Sequence, residues 1–305
     1  MNSSDTHRKL NGAKPSLDEI RRNGQKPRYR IEGNWLARHW ARPTAVYGTW
    51  LAIRLGIPPH AITAAAGIAW LCEAFFLAIG DSSAMLAGVT FGYLGFWLDH
   101  VDGQVARVTG RESLEGIFLD FWIHTAHACM RGLGVGWGLY TVTDRSAAIV
   151  LGLGAAFGWV MISNANDAAF KAIFAELKKL RERGMDVRLR PAGNHDARIE
   201  IRRRVRLRGM ISWTLVKLQE PHSVLIALTI AAVVRISEPE TGHRIWIALV
   251  LFWGIFAPIV AVVRLIRNVI SKKITGQFED AFVVRDSLVS QDQPATDGMG
   301  LPTTE

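Results

Sequence analysis

The chain has 305 residues, of which 49% are hydrophobic and 21% are charged, and its formal net charge is +9. Nucleic-acid-binding proteins also carry such positive charge, but here the cations lie beside apolar stretches, as in membrane proteins with basic cytoplasmic loops. We therefore expect no nucleic-acid partner. The only two cysteines, Cys72 and Cys129, lie in apolar segments. They indicate buried apolar residues rather than a disulfide framework or a zinc site.

The first part of the chain is polar and then amphipathic. Residues 1–29 form a polar, basic N-terminal segment. Residues 30–56 mix tryptophan and leucine with arginine, with Pro43 near the middle. This mixture is typical of an amphipathic helix that lies in the lipid headgroup layer.

The next part contains six apolar segments, and a helix of about 20 residues is long enough to cross a bilayer. They are residues 61–80, 84–98, 116–141, 147–166, 222–236 and 244–269. The sequence therefore predicts an all-α, polytopic membrane protein with about six transmembrane helices and an N-terminal interfacial helix. Its membrane domain spans residues 30–270, with a basic loop at 171–221. Residues 271–305 are predicted to be a cytoplasmic tail, disordered because they are rich in small and polar residues.

The loop charges predict the orientation of these helices. Cations are frequent before residue 54 and in the loop 171–221, above all in the run 202–208. They are nearly absent from the linkers 81–83, 142–146 and 237–243. By the positive-inside rule, both termini face the cytoplasm of the inner membrane, and so does the acidic stretch that follows residue 98.

That acidic stretch carries the candidate chemistry. Asp99, Asp102, Asp120 and His124 stand among apolar residues, where each charged group costs roughly 2.5 to 3.5 kcal/mol on membrane-insertion scales. The first two are three residues apart and the last two are four apart, so each pair projects from one helix face. Two such helices facing each other would present four ligand groups to one or two divalent metal ions.

The same run resembles the signature of the CDP-alcohol phosphotransferase family, which reads D-x2-D-G-x2-A-R, eight residues, then G-x3-D-x3-D. The seven matching positions are Asp99, Asp102, Gly103, Ala106, Arg107, Gly116 and Asp120. The sequence I-P-P-H-A-I-T at 57–63 is similar to the family's Pro-Asn-x-x-Thr turn, with His60 in place of asparagine. The chain departs from the signature at its last position, where His124 replaces the fourth aspartate.

The resemblance implies transfer of a phospho-alcohol from a CDP-linked donor to an acceptor hydroxyl, with release of CMP, in phospholipid or membrane-glycan synthesis. It implies Mg²⁺ or Mn²⁺ as cofactor and a homodimer among membrane lipids; the acceptor could be a lipid, a polyol or a glycan. Asp99, Asp102 and Asp120 are the implied metal ligands. His124 can replace a carboxylate as ligand or as base, since imidazole does both. Either His124 or Asp120 would take the proton from the acceptor hydroxyl.

The remaining motif residues would bind the donor. Gly103 would let the backbone approach the nucleotide, and Arg107 would hold a phosphate through its planar fork. Ala106 and Gly116 would allow close approach of helices and donor. In the turn between the two motif helices, Arg111 and Ser113 could contact a phosphate or be solvated loop residues. The candidate donor site thus consists of six residues, Gly103, Ala106, Arg107, Gly116, Arg111 and Ser113.

Several interpretations stay open at this point. Arg131 could bind an anionic group of a substrate, or pair internally with Glu73 or Asp167. His127 could support His124 or simply be packed, and His100 is expected to point away from the Asp99 face. The protein could also be a non-catalytic relative that binds a CDP-linked lipid or metal, as the His124 replacement alone would suggest. A small transporter that uses the acidic residues as an ion site is a further alternative.

Overall fold

The computed structural model describes residues 14–26, 33–190 and 214–285. The run at 202–208 and the tail from residue 286 lie outside the described residues. The elements in chain order are α1 (Leu17–Asn23), a π-helix (Ala37–Ala41), α2 (Arg42–Leu55), α3 (Pro59–Ile79), α4 (Ser82–Thr109), α5 (Leu114–Thr143), α6 (Ala147–Glu182), β1 (Asp186–Leu189), α7 (Pro221–Ser237), α8 (Pro239–Ile270), α9 (Lys273–Ala281) and β2 (Phe282–Arg285).

The predicted all-α membrane architecture is confirmed. Within the described ranges, three helices are long and apolar enough to cross a membrane by length and composition, namely α3, α6 and α8. The apolar helix α7 is shorter, with 17 residues. Helices α4 and α5 have 28 and 30 residues, but they carry the polar motif and are not among the three. The count of six transmembrane helices therefore stays a prediction.

The described part of the predicted amphipathic segment 30–56 is helical from Ala37 to Leu55. Pro43 does not break it, because the proline lies at the start of α2, directly after a π-helix turn that accommodates it. Helix α2 ends at Gly56, whose φ of +72° is readily adopted by glycine. Residues 30–32 of the segment lie outside the described residues.

The chain divides into two compact units, Met1–Ser163 with Arg208–Val262, and Asn164–Leu207 with Val263–Glu305. In the first unit, α3 packs against both α4 and α5. Its core contains large apolar side chains that are fully buried, including Leu77, Met85, Val135, Leu228 and Trp246. Burial of this apolar surface on helices α3, α4, α5, α7 and α8 fixes the positions of the two motif helices.

Glycines allow the helix backbones of the first unit to approach closely. A Cβ atom on Gly136 would lie 2.5 Å from the Cα atom of Gly152, and one on Gly132 would lie 2.5 Å from the backbone nitrogen of Ala156. Neither distance is possible for a real Cβ atom, so α5 and α6 can approach this closely only because glycine stands at these positions. The glycines of α5 thus form close-packing surfaces between helices.

The second unit contains a short antiparallel ribbon in which β1 pairs with β2. Asp186 lies opposite Arg285, and Leu189 lies opposite Phe282. The rings of Phe278 and Phe282 are 5.3 Å apart, so the end of α9 and the start of β2 share an apolar contact. Residues 273–285 therefore form a helix and a strand, although the sequence predicted disorder from residue 271.

Candidate active site

A short turn brings the two halves of the acidic motif together. Gly110, with a φ of +64°, ends α4. Ser113 then begins α5, because its side-chain oxygen accepts a hydrogen bond of 3.1 Å from the backbone N–H of Gly116. The connection between the two helices is thus only four residues long, and the motif residues of α4 and α5 line the same cavity.

The centre of this cavity is an imidazole between two carboxylates. Nε2 of His124 lies 2.9 Å from Oδ1 of Asp99 and 3.3 Å from Oδ1 of Asp120. One ligand atom from each of the three residues lies within 4.8 Å of the other two. All three side chains are partly exposed, so an ion could reach them. Two carboxylate oxygens and an imidazole nitrogen form a donor set suited to divalent metals.

Asp102 stands outside this group of three, although it lines the same cavity. Its Oδ2 atom accepts a hydrogen bond of 2.6 Å from the hydroxyl of Thr63. Asp102 follows the apolar segment 84–98, and burial together with the nearby charge of Asp99 raises its pKa to about 7. A cation bound beside Asp102 would favour the ionised carboxylate, so ion binding is expected to release protons near neutral pH.

The cavity has a volume of about 430 Å³, and all ten residues singled out from the sequence line it. The other residues that line it come from the N-terminal segment, from α2, from the start of α3, from the motif helices and from the turn between them. They are Gln25, Lys26, Arg42, Pro59, His60, Thr63, His100, Gln104, Glu112 and Ile117. Gln25 and Lys26 could not be predicted from the sequence as cavity residues, because no periodic pattern connects them with the motif.

Arg107 is held by the backbone near the N-terminus. Its Nε atom donates a hydrogen bond of 2.7 Å to the carbonyl oxygen of Gly24. A Cβ atom on Gly103 would lie 3.1 Å from Nη1 of Arg107. Gly103 thus gives the guanidinium its space, in addition to the predicted approach of a nucleotide. Asp99, on the same helix, contacts His124 and His100.

His60 and Ser113 meet at the edge of the cavity. Nε2 of His60 lies 3.4 Å from Oγ of Ser113, and a Cβ atom on Gly116 would lie 3.1 Å from Cε1 of His60. The histidine that replaces the asparagine of the similar turn therefore packs against the start of α5. Ser113 caps this helix and lines the cavity as well.

His100 is placed differently from the expectation that it points away from Asp99. Its Nδ1 atom lies 2.8 Å from the carbonyl oxygen of Phe96 and 3.6 Å from Oδ2 of Asp99. The expectation is wrong because the ring bonds to the carbonyl of the preceding helical turn and is thereby directed toward the cavity, which it lines.

A second polar cluster lies buried beside the cavity. Glu73 is fully buried and accepts hydrogen bonds of 2.8 and 3.0 Å from Arg131. Nε2 of His127 lies 2.8 Å from the same carboxylate. Arg131 also donates to the carbonyl oxygen of Pro221 at 3.1 Å. The internal ion pair predicted as one alternative for Arg131 is therefore present, and its partner is Glu73.

The indole of Trp70 separates this buried cluster from the cavity. Its ring stacks on His127 with a centroid distance of 4.3 Å and an angle of 5°. The ring centroid of Trp70 also lies 5.0 Å from that of His124. His127 thus supports His124 only through the indole, while its own hydrogen bond goes to Glu73.

The similarity of this chain to known proteins lies among solved structures. No protein-family model matches the chain, and no curated protein matches it. Among solved structures, it is similar to a phosphatidylinositol phosphate synthase of Mycobacterium tuberculosis, whose crystal structure has CDP-DAG bound. The two chains share 17% sequence identity with a TM-score of 0.48, over 74% of this chain and 92% of the other.

Proposed function

We propose that the protein is a membrane-bound, metal-dependent transferase that moves a phospho-alcohol group from a CDP-linked donor to an acceptor hydroxyl and releases CMP. The observation that carries this proposal is the cavity of about 430 Å³, which all ten motif and turn residues line. Ligand atoms from an aspartate of α4 and from an aspartate and a histidine of α5 converge there. Structural ion pairs at a helix end would not need this cavity or the small residues around it.

The metal would be held by Asp99, Asp120 and His124, whose ligand atoms already lie together, with Asp102, which lines the same cavity, as a fourth candidate ligand. When bound, a divalent ion supplies charge neutralisation for the donor diphosphate and stabilises the departing CMP. Mg²⁺ and Mn²⁺ suit the carboxylates, while the imidazole favours softer metals than Mg²⁺.

The protein's own groups would orient the donor and remove the proton. Arg107 and Arg111 bind phosphate oxygens, since guanidinium groups match phosphate geometry. The acceptor oxygen forms a bond to the distal phosphorus of the donor. The bond from that phosphorus to the bridging oxygen breaks, and CMP takes the electron pair. A nitrogen that ligates a metal has no lone pair left for a proton, so Asp120 takes the acceptor proton if Nε2 of His124 is a ligand.

The proposed setting is the cytoplasmic face of the inner membrane, with both termini on that side, in phospholipid or membrane-glycan synthesis. Three apolar helices support membrane insertion, and the basic loops support the orientation. A homodimer is part of the same proposal, because it follows from the family resemblance.

The test is CMP release by the purified full-length protein in nanodiscs, with a panel of CDP-linked donors, a membrane-lipid extract as acceptor, and Mg²⁺ or Mn²⁺. We expect CMP release with at least one donor, abolished by EDTA and restored by adding the metal. If no donor gives CMP release although CDP compounds still bind, catalysis is contradicted and the protein is one that only binds them.

One observation favours that second candidate, a non-catalytic relative that binds a CDP-linked lipid. The imidazole of His124 already contacts both carboxylates, at 2.9 and 3.3 Å, and could take the place of an ion there. No contact of the described residues favours the transporter alternative, for which the donor-binding residues of the cavity would have no purpose.

Replacing His124 by aspartate separates the two candidates. If the protein is an enzyme, His124→Asp should lower the rate of CMP release about tenfold, because a third carboxylate adds like charge and changes the metal preference from Mn²⁺ toward Mg²⁺. His124→Ala, which removes the ligand, should lower the rate about 100-fold. Initial rates with each metal measure both effects. A rise from background activity in His124→Asp would instead identify the native site as non-catalytic.

A further inference from the structure

The N-terminal strap, which we define as residues 14–26, is an ordered part of the first unit. Its helix α1 begins with a capping box in which Ser16 and Glu19 exchange hydrogen bonds of 2.8 and 3.3 Å. Ile20 has no exposed surface. A strap that buries a whole isoleucine side chain is docked on the protein rather than lying loose at its surface.

Four hydrogen bonds attach the strap to helices α2 and α4. Lys14 donates to the carbonyl oxygen of Arg54 at 2.9 Å, and Arg21 donates to the hydroxyl of Tyr47 at 3.3 Å. Gln25 donates to a carbonyl oxygen of α2 at 3.4 Å, and the carbonyl of Gly24 accepts the bond from Arg107. The attachment is tightest at Gly24, where a Cβ atom would lie 3.3 Å from the side chain of Val108.

The docked strap carries its last two residues, Gln25 and Lys26, to the cavity of the acidic motif. Lys26 is the only cation that the strap contributes there; the other cavity cations of the described residues, Arg42, Arg107 and Arg111, come from α2, α4 and the following turn. An ammonium group beside a phosphate-binding guanidinium adds positive charge where a diphosphate would lie.

We propose that Lys26 binds a phosphate of the donor diphosphate, so that the strap forms part of the donor site. This inference rests on the proposed function, which supplies the chemical class of the anion, a nucleoside diphosphate. The bond from Arg107 to Gly24 couples the two cations, because a displaced strap removes Lys26 from the cavity and a hydrogen-bond acceptor from Arg107 at once.

The test compares CDP and cytidine as soluble probes of the full-length protein in neutral-lipid nanodiscs with Mg²⁺, by titration calorimetry. Lys26→Gln should weaken CDP binding about tenfold, as expected for one charge-assisted hydrogen bond, and should leave cytidine binding unchanged. Lys26→Arg should restore most of the affinity. The matched control is Arg22→Gln, an exposed cation of the same strap that does not line the cavity, and it should bind CDP as the unaltered protein does.

A second variant tests the docking of the strap. Ile20→Asp should release the strap and weaken CDP binding at least tenfold, and adding Lys26→Gln to it should cause little further loss, since Lys26 is then already displaced. Equal CDP affinity in Lys26→Gln and the unaltered protein would overturn the inference and leave the proposed function standing. Absence of CDP binding by the unaltered protein would overturn both. A loss that occurs only in nanodiscs with anionic lipid would assign Lys26 to a lipid phosphate and overturn the inference.

Discussion

Replacing Asp99 by asparagine is expected to lower the rate of metal-dependent CMP release by about 100-fold or more. Asp99 contacts the imidazole of His124 at 2.9 Å and belongs to the three-residue cluster of ligand atoms. An amide is a weaker metal ligand than a carboxylate and does not offset the charge of a divalent ion. A loss of about 2.7 kcal/mol of transition-state stabilisation corresponds to this 100-fold effect, and metal catalysis contributes several kcal/mol.

Asp81→Asn is the matched control for this variant, because it makes the same chemical change at the other end of the same helix. Asp81 is the N-cap of α4 and accepts a hydrogen bond of 2.8 Å from Ala84. Asparagine caps helices as well as aspartate does, so CMP release and stability should stay unchanged. Manganese binding, followed by electron paramagnetic resonance, should weaken in Asp99→Asn alone. Undiminished turnover with Asn at position 99 would refute the assignment of the cluster as the metal site.

Replacing Glu73 by leucine is expected to lower the free energy of unfolding by about 3 to 5 kcal/mol, as is usual when one partner of a buried ion pair is removed. Glu73 is fully buried and is the acceptor for both Arg131 and His127. Without it, the guanidinium of Arg131 would keep only its bond to Pro221 and would remain charged inside the unit. The measurement is denaturant unfolding in a single detergent, followed by circular dichroism.

Two further variants test whether the unpaired charge of Arg131 causes the loss of stability in Glu73→Leu. Glu73→Leu combined with Arg131→Leu should be less destabilised than Glu73→Leu alone, since no unpaired charge stays buried. The matched control is Glu240→Leu, which breaks the exposed pair of Glu240 and Arg244 at 3.5 Å, and it should change stability by less than about 1 kcal/mol. Equal destabilisation in the single and double variants would mean that leucine fits position 73 badly for steric reasons.

The sequence predicted the features that depend on local geometry. Spacings of three and four residues place Asp99 with Asp102, and Asp120 with His124, on single helix faces. The short turn then brings the motif residues of the two helices to one cavity, while both helices pack against α3. For Arg131, the high cost of an unpaired charge among apolar residues reduced the possible partners to two, and Glu73 is the one present. Local periodicity was sufficient for the motif residues because each pair repeats a helical turn or is joined by a short connection, whereas the pairing of Arg131 was predicted from its charge.

The remaining features depend on contacts between distant parts of the chain. The hydrogen bond from Arg107 to Gly24 joins residues that are 83 positions apart, and no periodic pattern in the sequence predicts it. The hydroxyl of Thr63 donates a hydrogen bond to Asp102 and to no other carboxylate of the motif. Residue spacing alone could not show that Asp102 differs from the other carboxylates in this way. Strands β1 and β2 have four residues each, too few for an alternating pattern to be recognised. Such contacts are selected by the packing of the whole unit, and a single sequence does not display that packing.

The bond between Gly24 and Arg107 also sets an order of events during synthesis. Translation at about 5 to 20 residues per second needs on the order of ten seconds for the 83 residues that separate them. Throughout this interval the strap exists without α4, and Ile20 has no interior in which to be buried. The strap therefore cannot dock in its final position until α4 has been synthesised. The cavity is then completed late, by a part of the chain that was synthesised before the motif helices.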